Sequence, residues 1–317
     1  MTDYAVTALK SPIAAPTGAS RPVRDGLLTG HNGGVRFLFD LDFSWSYPGG
    51  ALATRPAQGA PANDQVIYDI AERSNGRYRF NTVFQAPRAT YAGGGFDYTN
   101  ITHAPFGVQG PADAWASIYS AANDYFLWCG YYRLPTEADF KPSGGFAMMF
   151  SNTPNTGFHI TNVEPFQVAQ ITSSGKKIQF IRQTTGGSGG QVTLSLATST
   201  DYYANMCQLS FWRNASGVGA RMKSATAEVS TSAAVGVNNS ADFSTLRPTW
   251  GHAAEPNISF NSEDLAATNY RSYRGWLEDL SVSGRDPLVV LNADWARVQA
   301  RIAKSAAANG GTSTIFV

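Results

Sequence analysis

An all-β chain, folded as a two-sheet antiparallel sandwich, is what this sequence predicts, on three observations. The first is composition: 31 Gly, 16 Pro and 12% aromatic residues in 317, which many short strands joined by tight turns accommodate best. The second is alternation. Val35, Phe37, Phe39, Leu41, Phe43 and Trp45 alternate with Arg36, Leu38, Asp40, Asp42, Ser44 and Ser46, and Leu38 alone breaks the period of two that a half-buried strand requires. The third is that no repeat of fixed period runs through the chain, which disfavours a propeller or β-helix.

In chain order, residues 1–34 carry Pro12, Pro16, Pro22 and the cluster Gly30-His31-Asn32-Gly33-Gly34 without sustained periodicity, and read as an extended arm that needs something to lie on. The sandwich is expected over 35–285. After the strand at 35–46 and a long loop at 48–64, strands are expected at 65–70, 125–134, 145–151, 166–171, 178–182, 192–197, 207–213, 218–223 and 270–282. Each is bounded by Gly, Pro, Asn, Asp or Ser, the residues that turns favour. The Gly-rich run 185–190 and Asn214-Ala215-Ser216-Gly217 read as hairpin turns. Residues 125–132, Tyr-Phe-Leu-Trp-Cys-Gly-Tyr-Tyr, are apolar on both faces, so this strand is expected at a sheet centre covered on both sides, or at a subunit contact. The period then changes. Asp286-Pro287 pairs an N-cap with Pro at the first helical position, and Leu288, Leu291, Trp295, Val298 and Ile302 follow at helical spacing, predicting one amphipathic helix over 286–304. Residues 305–317 read as a flexible tail ending in the β-prone Thr314-Ile315-Phe316-Val317, a segment able to add to a neighbouring sheet.

The net charge is +1 and only 15% of residues are charged, against about 25% in ordinary globular chains. That excludes a disordered polyelectrolyte and argues against nucleic-acid binding driven by bulk charge. No window approaches a transmembrane span, and the early Asp3 with Pro12 and Pro16 is unlike a secretory signal, so a soluble, unprocessed chain is expected. Cys129 and Cys207 lie 78 positions apart in aromatic runs and read as two reduced core thiols.

Asn63-Asp64-Gln65-Val66-Ile67-Tyr68-Asp69-Ile70 followed by Asn75-Gly76, then Ala92-Gly93-Gly94-Gly95-Phe96-Asp97-Tyr98, then Arg274-Gly275-Trp276-Leu277-Glu278-Asp279-Leu280-Ser281-Val282-Ser283-Gly284 resemble the opening, second and closing strands of the concanavalin A-like lectin/glucanase group, in its laminin G-like branch. Gln208–Trp212 with Arg213-Asn214, Trp250-Gly251 and Ser283-Gly284-Arg285-Asp286-Pro287 are similar to proteins of tailed-phage and prophage structural modules. The resemblance covers roughly residues 35–300. It implies a jelly-roll sandwich carried on a virion, in a tail fibre, baseplate spike or head decoration, and assembled in the bacterial host cytoplasm.

Glucanases of this group carry E-x-D-x-x-E on one strand, where period two aims three carboxylates into one cleft. Here Glu137-Ala138-Asp139 lacks the third acid, Asp40-Leu41-Asp42 has none at 45, and the adjacent Glu278 and Asp279 face opposite sides of their strand. Gly186-Gly187-Ser188-Gly189-Gly190 satisfies G-x-S-x-G as a string but joins two strands, whereas a nucleophile elbow joins a strand to a helix. His31, His103, His159 and His252 are dispersed, so no metal site and no catalytic residues are expected. The resemblance leaves rim Ca²⁺ as a weak alternative, with Asp97, Asn100, Asp242, Asn238 and Asn239 as loop oxygen donors.

Sugars present apolar faces beside hydroxyls, so glycan sites combine exposed aromatics with polar side chains. The candidates are Trp250 and His252 near Asn238, Asn239 and Asp242, with Trp45 and Tyr47 second; the bland alternative has Trp250 plugging the sandwich. Assembly candidates are Trp128 and Tyr132 on the doubly apolar strand, Leu291, Trp295 and Val298 on the helix, and Ile315 and Phe316 in the tail. The first functional expectation is a non-enzymatic virion structural protein that docks to other virion proteins and to copies of itself, most often as a trimer, the low charge reflecting surface covered by neighbours. The second is a receptor-binding module for host surface polysaccharide, and a third, weaker one is a polysaccharide-degrading enzyme.

Overall fold

The computed structural model describes residues 25–29, 33–43, 45–47, 61–71, 73–80, 89–99, 106–120, 123–140, 146–154, 165–172, 175–184, 190–252 and 269–317. Along the chain these form β1 (Val35–Asp40), β2 (Gln65–Ile67), β3 (Gly76–Phe80), β4 (Thr90–Ala92), β5 (Gly95–Asp97), β6 (Phe106–Gln109), α1 (Asp113–Tyr119), β7 (Phe126–Arg133), β8 (Phe146–Pro154), β9 (Phe166–Ile171) and β10 (Lys177–Gln183). There follow β11 (Gln191–Ala197), β12 (Met206–Asn214), β13 (Gly217–Lys223), β14 (Glu228–Ala233), β15 (Leu246–His252), β16 (Arg271–Asp279), α2 (Leu280–Ser283) and α3 (Pro287–Ala308).

The strands make two eight-stranded antiparallel sheets. The first runs β14-β13-β12-β7-β16-β5-β4, with β1 pairing β16 as well; the second runs β11-β10-β9-β8-β15-β6-β3-β2. Successive segments cross between the sheets, β6 to β7, β7 to β8, β11 to β12 and β14 to β15, which is the jelly-roll manner of closing a sandwich. Aromatic side chains fill the space between: Phe150 stacks on Phe166 at 4.8 Å and meets Trp128 and Trp250 at 5.1 Å each. Both expected hairpins form, β10 with β11 and β12 with β13, the second closed by Asn214 Oδ1 accepting from the N–H groups of Ser216 and Gly217.

The doubly apolar strand is β7, every residue of which is buried except the half-buried Arg133. Phe126, Trp128 and Tyr132 face the space between the sheets, while Leu127, Cys129 and Tyr131 face outward under Val290, Leu291, Trp295 and Val298 of α3. The chain's own helix therefore supplies the cover on this face. Leu38, the exception in the alternation, is buried in this same outer cluster, so it follows the rule for a strand with two covered faces.

Several expectations are corrected. The alternating run 35–46 is a strand only to Asp40, because the chain turns there: Phe43 N–H donates to the Asp40 carbonyl and Tyr47 N–H to that of Phe43. The strand expected to reach 282 stops at Asp279, whose carboxylate caps α2 by accepting from Ser281 N–H at 2.9 Å, and Gly284 ends α2 in the left-handed region at φ 64°. Helix α3 runs to Ala308, past 304, and Leu288 lies on its exposed side. The tail is docked: Phe316 is buried against Tyr131 and Tyr273 with the Arg301 guanidinium over its ring. Strands β3, β4, β6, β14 and β15 and helices α1 and α2 lie outside the expected elements. Of the arm, residues 1–24 and 30–32 lie outside the described residues. Its residues 25–29 lie on the sandwich, with Leu28 buried and Asp25 paired to Arg274 and Arg297.

Candidate functional site

The expected glycan constellation is not assembled at the surface. Trp250 and His252 stand on β15, and both are buried. Trp250 donates from Nε1 to the Cys129 carbonyl at 3.1 Å across the sandwich, an approach open only because Gly275 lacks a Cβ, which would lie 2.3 Å from that nitrogen. His252 accepts at Nδ1 from Met148 N–H at 3.1 Å and stacks on Phe106. Asn239 is buried, its amide donating to the Gln183 carbonyl. Asn238 and Asp242 are exposed in the segment after β14, with Asp242 accepting from Ser244 N–H. Tyr47 is buried beside Tyr91 and Phe96, and half-buried Trp45 packs on Tyr68.

The assembly candidates are likewise committed within one chain. Trp128 and Tyr132 lie in the inner core, Tyr132 donating to the Met149 carbonyl at 2.7 Å. Leu291, Trp295, Val298 and Phe316 are buried in the outer cluster and Ile315 packs against it. A partner subunit is not needed to explain their apolar character. Cys129 and Cys207 are free and buried, and burial pushes both thiols up. Among the described residues no group of three His, Cys, Asp or Glu side chains could hold a metal ion; Asn100, His31, His103 and His159 lie outside them.

A different place collects polar groups. A cleft of about 360 Å³ opens where β5, β7 and β16 end, lined by Asp97, Thr99, Arg133, Leu134, Pro135, Thr136, Asp139, Ala204, Asn269, Tyr270 and Arg271. Sheet register builds it. Arg271 is the cross-strand partner of Asp97 on one side and of Arg133 on the other, so neighbouring strands about 4.8 Å apart line up one carboxylate and two guanidiniums in a row. Arg271 holds Asp97 Oδ2 by Nη2 at 2.6 Å and Nε at 3.2 Å, and Thr99 N–H donates to Asp97 Oδ1 at 2.9 Å. Arg133 Nε donates to the Ala204 carbonyl at 3.1 Å. On the opposite wall Asn269 donates to the Asp139 carbonyl at 2.9 Å, and Thr136 Oγ1 to Asp139 Oδ2 at 2.6 Å.

Burial opposes the charge of both members of the central pair, yet hydrogen bonds and attraction win. Thr99 and Arg271 hold the Asp97 carboxyl below its usual range, and Asp97 holds Arg271 above its own. A charged carboxylate–guanidinium pair of donors and acceptors suits the binding of sugar hydroxyls. The sequence offers Asp97 as part of a strand and as a loop oxygen for a cation and does not single out Arg133 or Arg271, because the pairing joins residues 174 apart and no local signal reports it.

No family model and no curated protein matches this sequence. Solved structures that it resembles include lectin II from Ulex europaeus, at 10% identity over 65% of this chain and 93% of that one with a TM-score of 0.38. The CBM2 module of the evolved Dit of Lactobacillus casei BL23 phage J-1 matches at 9% identity over 63% and 89%, TM-score 0.37. A Trypanosoma rangeli sialidase matches at 8% identity over 70% of this chain, TM-score 0.38, and this chain spans 30% of that one's length.

Proposed function

We propose that this protein is a non-enzymatic virion component whose sandwich recognises a glycan through the cleft between β5, β7 and β16. The observation that carries the reading is the in-register row Asp97–Arg271–Arg133, which faces a cleft of the volume small-ligand sites have. Binding without cleavage is favoured by the same row. A glycosidase needs a carboxyl that keeps its proton until the leaving group takes it, whereas Asp97 is held ionised by Arg271 and Thr99. The virion setting rests on the resemblance of residues 208–214, 250–251 and 283–287 to tailed-phage structural proteins. Copies of this chain that associate, as a trimer or otherwise, would use surface other than the internally committed aromatics, such as exposed Val282, Leu288 and Val289 near the start of α3.

Host surface polysaccharide fragments on a glycan array test the reading. Binding by the wild type, lost in Arg271→Met and Asp97→Asn while the far-ultraviolet circular dichroism is kept, is the expected result. Absence of any glycan hit, or binding indifferent to both substitutions, would overturn it, and reducing ends released from a bound polysaccharide would replace it with the enzymatic reading. Peptides of this chain in the mass spectrum of purified particles test the virion setting.

A further inference from the structure

The cleft at the ends of β5, β7 and β16 holds one cation whose charge the protein itself leaves unmatched. Its central pair is already served. Asp97 accepts from Arg271 at Oδ2 and from Thr99 N–H at Oδ1, and the remaining nitrogen of Arg271, Nη1, donates to a backbone oxygen of Val317. Arg133 differs. Its Nε donates to the Ala204 carbonyl at 3.1 Å, but among the described residues Nη1 and Nη2 have no hydrogen-bond partner and no carboxylate pairs with the group. The residue is half-buried and neither terminal nitrogen is enclosed, so a ligand in the cleft that Arg133 lines can reach them.

Backbone geometry holds that guanidinium in place. Ala204 adopts φ 56°, a left-handed conformation that residues with a Cβ rarely take. There its N–H reaches the Pro135 carbonyl at 2.9 Å while its own carbonyl meets Arg133 Nε. A planar guanidinium fixed at Nε presents Nη1 and Nη2 as a preset fork, the shape that pairs with a carboxylate through two parallel hydrogen bonds. On the opposite wall the exposed Asp139 accepts from Thr136 Oγ1 at Oδ2, and its Oδ1 accepts nothing among the described residues. A ligand spanning the cleft therefore meets charged donors on one side and an acceptor on the other. An inorganic anion would use the first and be repelled by the second. A sugar acid carries a carboxylate and hydroxyls on one rigid frame and uses both.

We propose that the cleft selects acidic saccharides, a uronate carboxylate pairing with Nη1 and Nη2 of Arg133 while hydroxyls of the same saccharide donate to Asp139. This names the ligand class of the glycan site above and rests on that reading. Isothermal titration at fixed ionic strength compares trigalacturonate, its fully methyl-esterified form and sodium sulfate. Trigalacturonate is expected to bind about tenfold more tightly than the ester or sulfate. Arg133→Gln places Nε2 where Arg133 has Nε, so it keeps a donor for the Ala204 carbonyl and removes only the charged fork. Its melting temperature is expected to stay at that of the wild type while the ratio of acid to ester affinity falls to about one. Arg133→Lys, which keeps a charge, is expected to restore part of the ratio. The proposal is overturned if the ester or sulfate matches the acid on the wild type, or if the preference for the acid survives in folded Arg133→Gln. Ester and acid binding equally, and both lost in Arg271→Met, would leave the glycan reading standing and this one not, whereas no binding of any saccharide would remove both.

Discussion

Arg274 on β16 donates to Asp294 on α3 at 2.9 Å, with both side chains buried between the first sheet and the helix. The same guanidinium reaches Asp25 at 2.8 Å and Asp40 at 3.1 Å, so one side chain ties the arm, β1 and α3 to the closing strand. Asp294 is fully satisfied, its Oδ2 accepting from Tyr131 OH at 2.9 Å and Trp276 Nε1 at 3.0 Å. Burial opposes the Arg274 charge, but Asp294, Asp25 and Asp40 outweigh it and hold the group firmly protonated.

Neutralising Asp294 takes one charged partner from Arg274 and leaves it Asp25 and Asp40. Asp294→Asn is expected to cost about 1–3 kcal/mol in urea unfolding, the worth of hydrogen bonds to a charged group. Arg274→Met combined with it is expected to cost less than the two single losses added, by about 1–3 kcal/mol. Additive losses in the four-member cycle would show that the residues act independently.

Asp69 gives a dependence on pH. Its carboxylate accepts from the N–H groups of Leu38, Ala71 and Arg73, each at 2.9 Å, yet burial outweighs these bonds and pushes the group up to about 6. The folded state then holds a proton that the unfolded chain releases near pH 3.9. Stability from this group is full below pH 4 and is lost as pH rises to 6, a fall of about 3 kcal/mol. Asp69→Asn is expected to remove that slope; parallel stability curves for wild type and variant between pH 4 and 6 would refute it.

Trp250 is expected to be a stability residue. Trp250→Phe keeps the edge-on contact with Phe150 but loses the Nε1 hydrogen bond to the Cys129 carbonyl, at a cost of about 0.5–1.5 kcal/mol, and Trp250→Ala is expected to cost about 3–5 kcal/mol by opening a cavity. Glycan binding measured on folded Trp250→Phe is expected to equal that of the wild type. A selective loss of binding at unchanged melting temperature would return Trp250 to a ligand site.

The few charges are not all spent on the surface. Many of the charged side chains the chain does have are spent inside it: Asp124 with Arg182 and Arg213, Glu278 with Arg285, Asp279 with Arg36, Asp40 with Arg274 and Arg301. Exposed solubilising charge and buried pairing charge look alike in a composition. Their difference is a matter of burial, which is set by contacts between residues far apart in sequence.

What could be read directly was what local physics encodes. Alternation located β1, apolar runs bounded by turn residues located β2, β7 to β13 and β16, glycine and asparagine turns located two hairpins, and Asp286-Pro287 with its spaced apolar residues located α3. For Trp250 the sequence leaves two alternatives, a glycan-facing aromatic and a plug of the sandwich, and the second holds once β6 and β8 are placed on either side of β15. Likewise the apolar outer face of β7 announced that something covers it without saying what. Only the tertiary structure decided that α3 is the cover, that Trp250 lies inside, and that Asp97, Arg271 and Arg133 meet. Strand pairing and register fix those outcomes, and they are settled by which faces can be buried together, a property no single segment of the sequence possesses.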